Sequence, residues 1–548
     1  MNIEQIRTSI RSARTCMGME FGSTRVKAVL IDEEHNVIAG GAVNWENRFE
    51  NGIWTYDLSD AVKNMQACFA ALKNDVTEKY GVPLETIGCI GISGMMHGLL
   101  ALDRNGDPVT PFRTWRNTMT ADESAFLSEL FDYTVPQRWS VAHLYQLMKT
   151  EPQNAAKIDR ITTLAGYIHQ LLTGVHALGC CEAAGMFPVY DTPEIPDTRP
   201  EYFAHMTEKM DALAKNTGMP WKTTDIFPAI LRAGENAGAL TEVGSRLLDP
   251  TGGLKPGIPF CPAEGDGGTG MVCTGGLAPG YATVSAGTST FALFVLDKPL
   301  SHADPEVETT VTPCGTPVAE IQSNNGTSEL DSWVGIISAA METLGCKADA
   351  GEIYALLLSS AMKGESDCGG LLAYNYLSGE HLTGFSSGRP LFARKSDSRL
   401  TLANFMKTQL FAIFAPLAYG YRLLRDEGVN VTNIRAHGGL FRTRDAAQPV
   451  LSAALGAPVS VSEEAGEGGP FGSALLAAYA KYCAETADVR ETLPVYLETR
   501  VFAKNKSITV TPDEALTRDF AAYMDAYVRG LPSNARRRNV CEAIHINK

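Results

Sequence analysis

Two short stretches, Gly22-Ser-Thr-Arg-Val-Lys-Ala-Val-Leu-Ile-Asp32 and Gly287-Thr-Ser-Thr-Phe-Ala-Leu-Phe-Val-Leu-Asp297, share one pattern that decides the fold. In each, an apolar run enters a Gly/Ser/Thr loop and a second apolar run leaves it, ending on Asp ten residues after the glycine. Two strands joined by a tight turn give this pattern. Because the copies lie 265 residues apart, we expect two related domains that face one another. Chance similarity between two hairpins is the competing explanation.

The rest of the chain alternates between strand and helix patterns, which is typical of the α/β class. Helical spacing occurs over 59–80, 121–175, 328–362, 401–427 and 444–456. Strand patterns end at Ser93 and recur near 432–437 and 458–461, and residues 190–220 are polar and less regular.

Composition and charge exclude several classes of function. The 548 residues carry a net charge of −15, which disfavours non-specific nucleic-acid binding because phosphates require cations. The longest apolar stretch, Leu410 to Leu424, is interrupted by Pro416, Gly420 and Arg422 and predicts a buried helix rather than a membrane span. The N-terminus lacks the apolar segment of a signal peptide, and the twelve cysteines are mostly far apart. We therefore expect reduced thiols and a cytoplasmic protein.

The two loops, Gly22-Ser23-Thr24 and Gly287-Thr288-Ser289, are suited to phosphate. Glycine lets backbone N–H groups approach phosphate oxygens, and the hydroxyls add further donors. Hairpins also end in Gly-Ser for turn geometry alone, so a single copy would say little. Two copies in two domains could clamp a polyphosphate between them.

Asp266 lies between glycines in Ala-Glu-Gly-Asp-Gly-Gly-Thr-Gly, ahead of a helical pattern. Small neighbours expose its carboxylate, which could then accept a proton from an attacking hydroxyl. The alternative is an N-cap aspartate that only begins the helix.

A loop that follows a predicted strand, Gly94-Met-Met-His97-Gly98, occupies the place where α/β folds bind ligands. His97 could hydrogen-bond a polar substrate, with Met95 and Met96 as an apolar wall. Trp115 could cover a sugar ring while Arg116 and Asn117 bind hydroxyls. The alternative for His97 and Trp115 is a role in core packing.

Taken together, five motifs resemble the FGGY carbohydrate kinases of the actin-like ATPase superfamily over residues 16–482. They are a first strand reading Gly18-Met-Glu-Phe-Gly22-Ser-Thr, then Gly265-Asp-Gly-Gly268, Ser285-Ala-Gly-Thr-Ser289, His437-Gly-Gly-Leu440 and the closing 469–478. Met96-His97-Gly98 is similar to the xylulokinase branch.

The resemblance implies two RNase H-like domains with a cleft between them, over 14–280 and 281–485, followed by an extension at 486–548. It implies ATP-dependent phosphorylation of a sugar with Mg²⁺, with Asp266 as general base and as a sugar-binding residue. Lys27 matches a basic position near the transferred phosphate, and Glu20 with Asp266 matches the metal side. Gly438, Gly439 and Gln448 match the adenosine side.

Three departures from the family pattern affect this site. Glu20 stands where relatives have Asp, Asn117 stands where many have Asp, and Gly267 replaces the usual Asn. One extra methylene at Glu20 changes the metal geometry, and the other two alter the sugar side.

The sequence therefore predicts an ATP-dependent sugar kinase that acts on a ketopentose such as xylulose or ribulose. The alternative is a non-catalytic nucleotide or sugar sensor on the same fold. We expect a small-molecule sugar as partner, no nucleic acid, no membrane and, from the resemblance, a possible homodimer.

Overall fold

The computed structural model describes residues 1–190, 199–346, 349–462, 468–486, 491–503 and 507–531. The basic run at 536–538 and part of the Gly-rich stretch before the last long core helix lie outside the described residues.

The N-terminal half contains one central sheet with helices and small hairpins around it. Its elements are α1 (Ile3–Arg11), β1 (Cys16–Phe21), β2 (Arg25–Ile31), β3 (Val37–Asn44), β4 (Arg48–Glu50), β5 (Ile53–Thr55), α2 (Leu58–Tyr80), β6 (Cys89–Gly94), β7 (Leu100–Leu102), α3 (Ala121–Phe131), α4 (Ser140–Thr150), α5 (Pro152–Ala155), β8 (Arg160–Thr162), α6 (Leu164–Thr173), β9 (Ala177–Gly179), α7 (Cys180–Ala184), β10 (Val189–Tyr190), β11 (Glu201–Tyr202), α8 (Ala204–Asn216), α9 (Thr223–Ile226), β12 (Ala229–Leu231), α10 (Glu242–Leu248), β13 (Glu264–Gly265) and α11 (Asp266–Thr274).

The C-terminal half repeats this plan with a larger sheet. Its elements are β14 (Tyr281–Ala286), β15 (Thr290–Val295), β16 (Glu308–Val311), β17 (Pro317–Ser323), α12 (Ser328–Thr343), α13 (Ala350–Ala361), β18 (Leu371–Tyr374), β19 (Leu391–Arg394), α14 (Leu402–Asp426), β20 (Asn433–His437), α15 (Arg444–Leu455), β21 (Val459–Ser462), α16 (Gly468–Glu485), α17 (Leu493–Tyr496), β22 (Ser507–Val510) and α18 (Glu514–Gly530).

The two sheets have the same strand order. The first runs β3-β2-β1-β6-β13, and the second contains β17-β15-β14-β20-β21 with β16 and β22 added at its edges. In both, the first three strands are antiparallel and the next two are parallel to the first. The predicted repeat is confirmed, because chance similarity between two hairpins does not account for a strand order shared over five strands.

The two repeated hairpins differ by one residue in their turns. Phe21 pairs with Val26, whereas Ala286 pairs with Thr290. The loop at Gly22 is therefore longer than the loop at Gly287, although the sequences align without a gap.

Helix α16 belongs to the C-terminal stretch of sequence but packs on the N-terminal sheet. It lies against β1, β6 and α11. A Cβ at Gly18 would overlap the carbonyl oxygen of Pro470, and one at Gly472 would overlap that of Thr269. The absence of these side chains allows the close packing.

The described residues after 485 pack on both halves, and Tyr496 of α17 contacts His35 in the N-terminal half. Strand β22 pairs with β21, and α18 packs on α14 and α15. The proposed boundaries at 280 and 485 thus divide the chain by sequence but not by packing.

Two predicted features of the chain have clear outcomes. The apolar stretch at 410–424 is buried inside α14, and the helix continues through Pro416. Across the ranges described above, no helix is both long and apolar enough to cross a membrane. The expectation of irregular structure over 190–220 was wrong in part, because α8 buries Met206, Met210 and Ala214 at helical spacing.

Candidate active site

Three loops meet at one end of the N-terminal sheet. Strands β1, β6 and β13 are parallel neighbours, and their last residues Phe21, Gly94 and Gly265 are in register. The next residues along the chain are the first Gly/Ser/Thr loop, the Met95–Gly98 loop and Asp266. The carboxyl ends of parallel strands form the ligand-binding edge of such sheets, so these predicted residues share one site.

Asp266 is the first residue of α11, and the N-cap is Gly265. The alternative role of Asp266 as an N-cap is therefore wrong. Asp266 is exposed to solvent at the cleft. Desolvation by the surrounding protein nevertheless raises the pKa of its carboxyl above the usual value. The backbone N–H groups of Met96 and Gly267 and the charge of Arg138 oppose that rise. These neighbours favour the carboxylate, which is the form that accepts a proton.

Glu20 and Lys27 lie directly opposite each other on β1 and β2. Burial raises the pKa of Glu20 to about 7, the negative charge of Asp266 adds to the rise, and Lys27 lowers it. The Glu20 carboxyl also fills the space beside Gly469 at the start of α16, where a Cβ would overlap it. Two neighbouring carboxyls and a lysine therefore occupy the floor of the site.

The pair Glu20 and Asp266 fits a magnesium ion that arrives with a nucleotide. Mg²⁺ is commonly held by one or two carboxylates together with substrate phosphates. Within the described part of the chain, no three His, Cys, Asp or Glu side chains converge on a complete metal cage. The negative charges of the two carboxylates repel each other, and a cation between them relieves that repulsion. Two carboxylates are therefore a suitable donor set for a cation that also has phosphate ligands.

His97 has the backbone conformation φ 69°, which is unusual for a residue other than glycine. Its Nδ1 lies 3.0 Å from the carbonyl oxygen of Gly185, and burial with the nearby charge of Arg138 lowers its pKa to about 3. The ring is thus neutral at physiological pH. A carbonyl only accepts hydrogen bonds, so Nδ1 carries the hydrogen and Nε2 is an acceptor.

Trp115 and Arg116 lie beside the first loop. The Trp115 indole Nε1 donates to Ser23 Oγ at 3.3 Å, and the side chain remains exposed. The Arg116 guanidinium stacks on Trp54, 4.1 Å from the ring centroid. Both side chains are available to a ligand at this edge.

The structure does not support Asn117 as a sugar-binding residue. Its side chain is buried; Oδ1 accepts from the Trp54 backbone N–H at 2.8 Å, and Nδ2 donates to the carbonyls of Trp54 and Thr114. The amide therefore holds the β4–β5 hairpin against the Trp115 segment, and its polar atoms are already used.

The second loop lies on the start of α12. Backbone N–H groups of Gly326 and Thr327 donate to the carbonyls of Thr288 and Gly287, both at 2.8 Å. A Cβ at Gly326 would overlap the Gly287 carbonyl oxygen. This contact was not predicted. The sequence Gly326-Thr327, between a strand and a helix, was the feature that could have indicated it.

Gly438 brings the predicted adenosine loop against the second phosphate loop. Ser285 and His437 are in register on β14 and β20. Gly438 has φ 110°, and a Cβ there would overlap the Ala286 carbonyl oxygen. Gly438 and Gly439 are both exposed, so this edge is open to a nucleotide.

Gln448 does not lie at that edge. Its fully buried side chain donates from Nε2 to the carbonyls of Val459 and Ile508, both at 2.7 Å. It joins β21 to β22, so the structure does not support Gln448 as an ATP-binding residue.

Two buried acids beside Asp266 were also missed. The backbone N–H of Glu182 donates to Glu264 Oε2 at 3.0 Å. Burial raises the pKa of Glu264 to about 8 and that of Glu182 well above its usual value. Glu264 fixes β13 to α7 immediately before Asp266. An acid on a buried strand next to Asp266 was the available signal.

A cavity of about 390 Å³ lies between the two halves. The segment 132–137 forms one wall, and Glu308, Glu320, Gln322 and His381 belong to the other. Burial and the negative charges of Glu308 and Asp266 raise the pKa of Glu320, and Arg138 lowers it, so this wall of the cavity lies near Asp266.

Comparison with known proteins is consistent with this geometry. The N-terminal domain of the FGGY family of carbohydrate kinases matches residues 15–273, and the C-terminal domain of the same family matches residues 282–481.

Relatives of known activity share low identity over most of the chain. A xylulose kinase of Haemophilus influenzae is 23% identical, covering 85% of this chain and 90% of its own. A ribulokinase of Shouchella clausii is 23% identical over 83% of this chain and 87% of its own. The crystal structure of xylulose kinase from Rhodospirillum rubrum matches with a TM-score of 0.73 and 22% identity, covering 94% of this chain and 99% of that one.

Proposed function

Because this chain belongs to the FGGY family of carbohydrate kinases, we propose that it transfers the γ-phosphate of ATP to a hydroxyl of a ketopentose such as xylulose or ribulose. FGGY kinases use ATP as the phosphate donor. The observation that carries the proposal is the shared edge at which the first loop, the Met95–Gly98 loop and Asp266 follow three parallel strands.

Asp266 takes the proton of the attacking hydroxyl. The hydroxyl oxygen forms a bond to the γ-phosphorus while the bond from that phosphorus to the ADP oxygen breaks, so the phosphoryl group is transferred intact. Phosphoryl transfer depends mainly on positioning and charge neutralisation. Lys27 supplies a positive charge on the floor of the site, and the loops at Gly22 and Gly287 hold the phosphates.

The sugar binds over the N-terminal sheet. His97 Nε2 accepts a hydrogen bond from a second hydroxyl, Met96 contacts the carbon chain, and Trp115 with Arg116 closes the outer side. When bound with the nucleotide, Mg²⁺ supplies charge that stabilises the transferred group, and Glu20 and Asp266 would hold it.

The cytoplasmic location and the homodimer remain predictions. The absence of nucleic-acid and membrane partners also remains a prediction. The substrate preference is the finer part of the proposal, because the relatives include both a xylulose kinase and a ribulokinase.

The test is ADP release with ATP and Mg²⁺ across pentuloses, hexuloses, deoxysugars, polyols and aldoses, with a sugar-free control. We expect one ketopentose to raise release far above the control. Release that stays flat while ATP still binds would favour the sensor. Release that is equally high without sugar would indicate a plain ATPase, and both results would contradict the proposal.

A further inference from the structure

Arg138 connects the two halves of the molecule beside the active site. It lies in the segment between α3 and α4 and extends to the edge of the C-terminal sheet. Its Nη2 is 2.5 Å from Glu308 Oε2 and 3.9 Å from Glu320 Oε1. Nearby, Thr134 Oγ1 donates to the Asp304 carbonyl at 2.9 Å, so this segment contacts the other half at several points.

The two acids that form ion pairs with Arg138 are direct cross-strand partners. Glu308 on β16 pairs with Glu320 on β17, and like charges at such positions destabilise a sheet. The guanidinium offsets that repulsion, and its fork of donors can reach two carboxylates at once. Without it, the C-terminal edge would present two uncompensated acids to the cleft.

The backbone of Arg138 holds the His97 loop. Its carbonyl accepts from the Gly98 N–H at 2.8 Å, and Ser140 Oγ donates to the Gly98 carbonyl. Gly98 has φ 76°, and a Cβ there would overlap the Arg113 carbonyl oxygen. The loop is thereby fixed on the same short segment that reaches across the cleft.

The other end of that loop touches the base. The Met96 backbone N–H lies against the Asp266 carboxylate. Three residues, 96 to 98, therefore separate the Asp266 carboxylate from the carbonyl of Arg138. A shift of the Arg138 segment is transmitted to Asp266 over a distance of one short loop.

We propose that Arg138 is a positioning residue for phosphoryl transfer, which uses its ion pairs with Glu308 and Glu320 across the cleft to hold Asp266 in place. This proposal rests on the proposed kinase function. Arg138 acts through the loop and through its charge and does not touch the reacting atoms.

Five titratable groups face the Arg138 charge from the elements around it. They are Asp266 and His97 on the N-terminal side and Glu308, Glu320 and His381 on the C-terminal side. Glu308 and Glu320 are the acids that pair with Arg138. Removing the arginine and removing the two acids therefore break the same contact between the halves.

The experiment compares R138M, R138K and the E308Q/E320Q pair, using the acceptor found in the ADP-release panel. We expect R138M to lower kcat by about 10²-fold, because small misplacements of reacting groups have effects of this size. R138K should recover part of the loss. E308Q/E320Q breaks the same ion pairs and should also lower kcat, while the KM for ATP stays at the wild-type value in all three variants.

The matched control is R399M. Arg399 also pairs with two acids, Glu365 and Asp367, but within one half and at the surface. We expect its kcat and its KM for ATP to match the wild type. Thermal unfolding of each variant separates loss of fold from loss of rate, and R138K and E308Q/E320Q test the proposal if R138M does not fold.

The outcomes distinguish this proposal from the function on which it rests. Normal kcat in R138M would overturn the positioning role and leave the kinase standing. Normal kcat in E308Q/E320Q would also overturn it. If the wild type releases no ADP with any acceptor, the proposed function fails and this role fails with it.

Discussion

The loops at Gly22 and Gly287 occupy the same place in two sheets of the same topology, yet their surroundings differ in charge. In the N-terminal sheet, Glu20 lies opposite Lys27 just before the loop. At the equivalent place in the C-terminal sheet, Ser285 lies opposite Phe291. One copy carries a carboxyl opposite a lysine, and the other carries a hydroxyl opposite an aromatic ring.

The difference shows how a duplicated scaffold divides its work. The charged copy has Asp266 at the end of the third parallel strand and the neutral His97 between them. The uncharged copy has Gly438 and Gly439 beside its loop, where backbone groups are exposed. The charged side chains of the first copy can respond to charge that develops during a reaction. The exposed backbone groups of the second copy can contact the phosphates and the base of a nucleotide.

The largest expected effect comes from removing the base in the charged copy. We expect Asp266→Asn to lower kcat by about 10²- to 10⁴-fold, because an amide cannot take the proton. ATP binding measured by calorimetry should be retained, since the uncharged copy is intact. Turnover close to wild type would remove Asp266 from this role.

A smaller effect should follow from disturbing the uncharged copy. Gly438→Ala places a Cβ on the Ala286 carbonyl at φ 110°, and such strain corresponds to about a tenfold rise in KM for ATP. The KM for sugar should stay unchanged. Gly335→Ala is the control, because a Cβ at that exposed helical position meets nothing within 4 Å. Equal KM values for ATP in both variants would contradict the division of work.

The half-buried carboxyl of Glu20 in the charged copy should make the stability of the protein depend on pH. The folded pKa of Glu20 is about 7, above its ordinary 4.5. The folded state then binds this proton more tightly than the unfolded state, so stability is lost as pH rises from 4.5 through 7. Glu20→Gln should remove about 1–2 kcal/mol of that loss between pH 5 and 8, allowing for solvent screening. Urea unfolding at the two pH values measures it, and identical pH dependence in both proteins would exclude the effect.

The smallest effect on activity is expected at Gln448. Its Nε2 serves two backbone carbonyls, so Gln448→Ala should lower the free energy of unfolding by about 2 kcal/mol. The KM for ATP should equal that of the wild type. A raised KM with unchanged stability would return Gln448 to the nucleotide site.

The sequence was most informative for elements whose structure is determined by residues close together in the chain. The repeated Gly/Ser/Thr hairpins predicted two sheets because apolar runs and turn glycines act locally. Their register did not follow, since the one-residue difference in turn length depends on pairing within each sheet. Helix α8 was missed because its buried residues are spread among polar ones.

The site was predictable for residues next to glycines in loops and less so for residues with partners far along the chain. Asp266 and His97 follow strand ends that can be read directly. The structure does not support Asn117 and Gln448 as binding residues, and the sequence could not show this because an amide looks the same whether it faces a ligand or buried backbone groups. Arg138 gave no signal, since its partners Glu308 and Glu320 lie some 170 residues later and only the fold brings them together.

The position of α16 has a consequence for synthesis on the ribosome. This helix covers β1 and β6 of the N-terminal sheet, but it is translated only after about 470 residues have been made. At typical rates of about 5 to 20 residues per second, that interval is about 25 to 90 s. During that time one apolar face of the nascent first sheet lacks its native cover. The first half can therefore finish folding only after α16 has been made and has emerged from the ribosome.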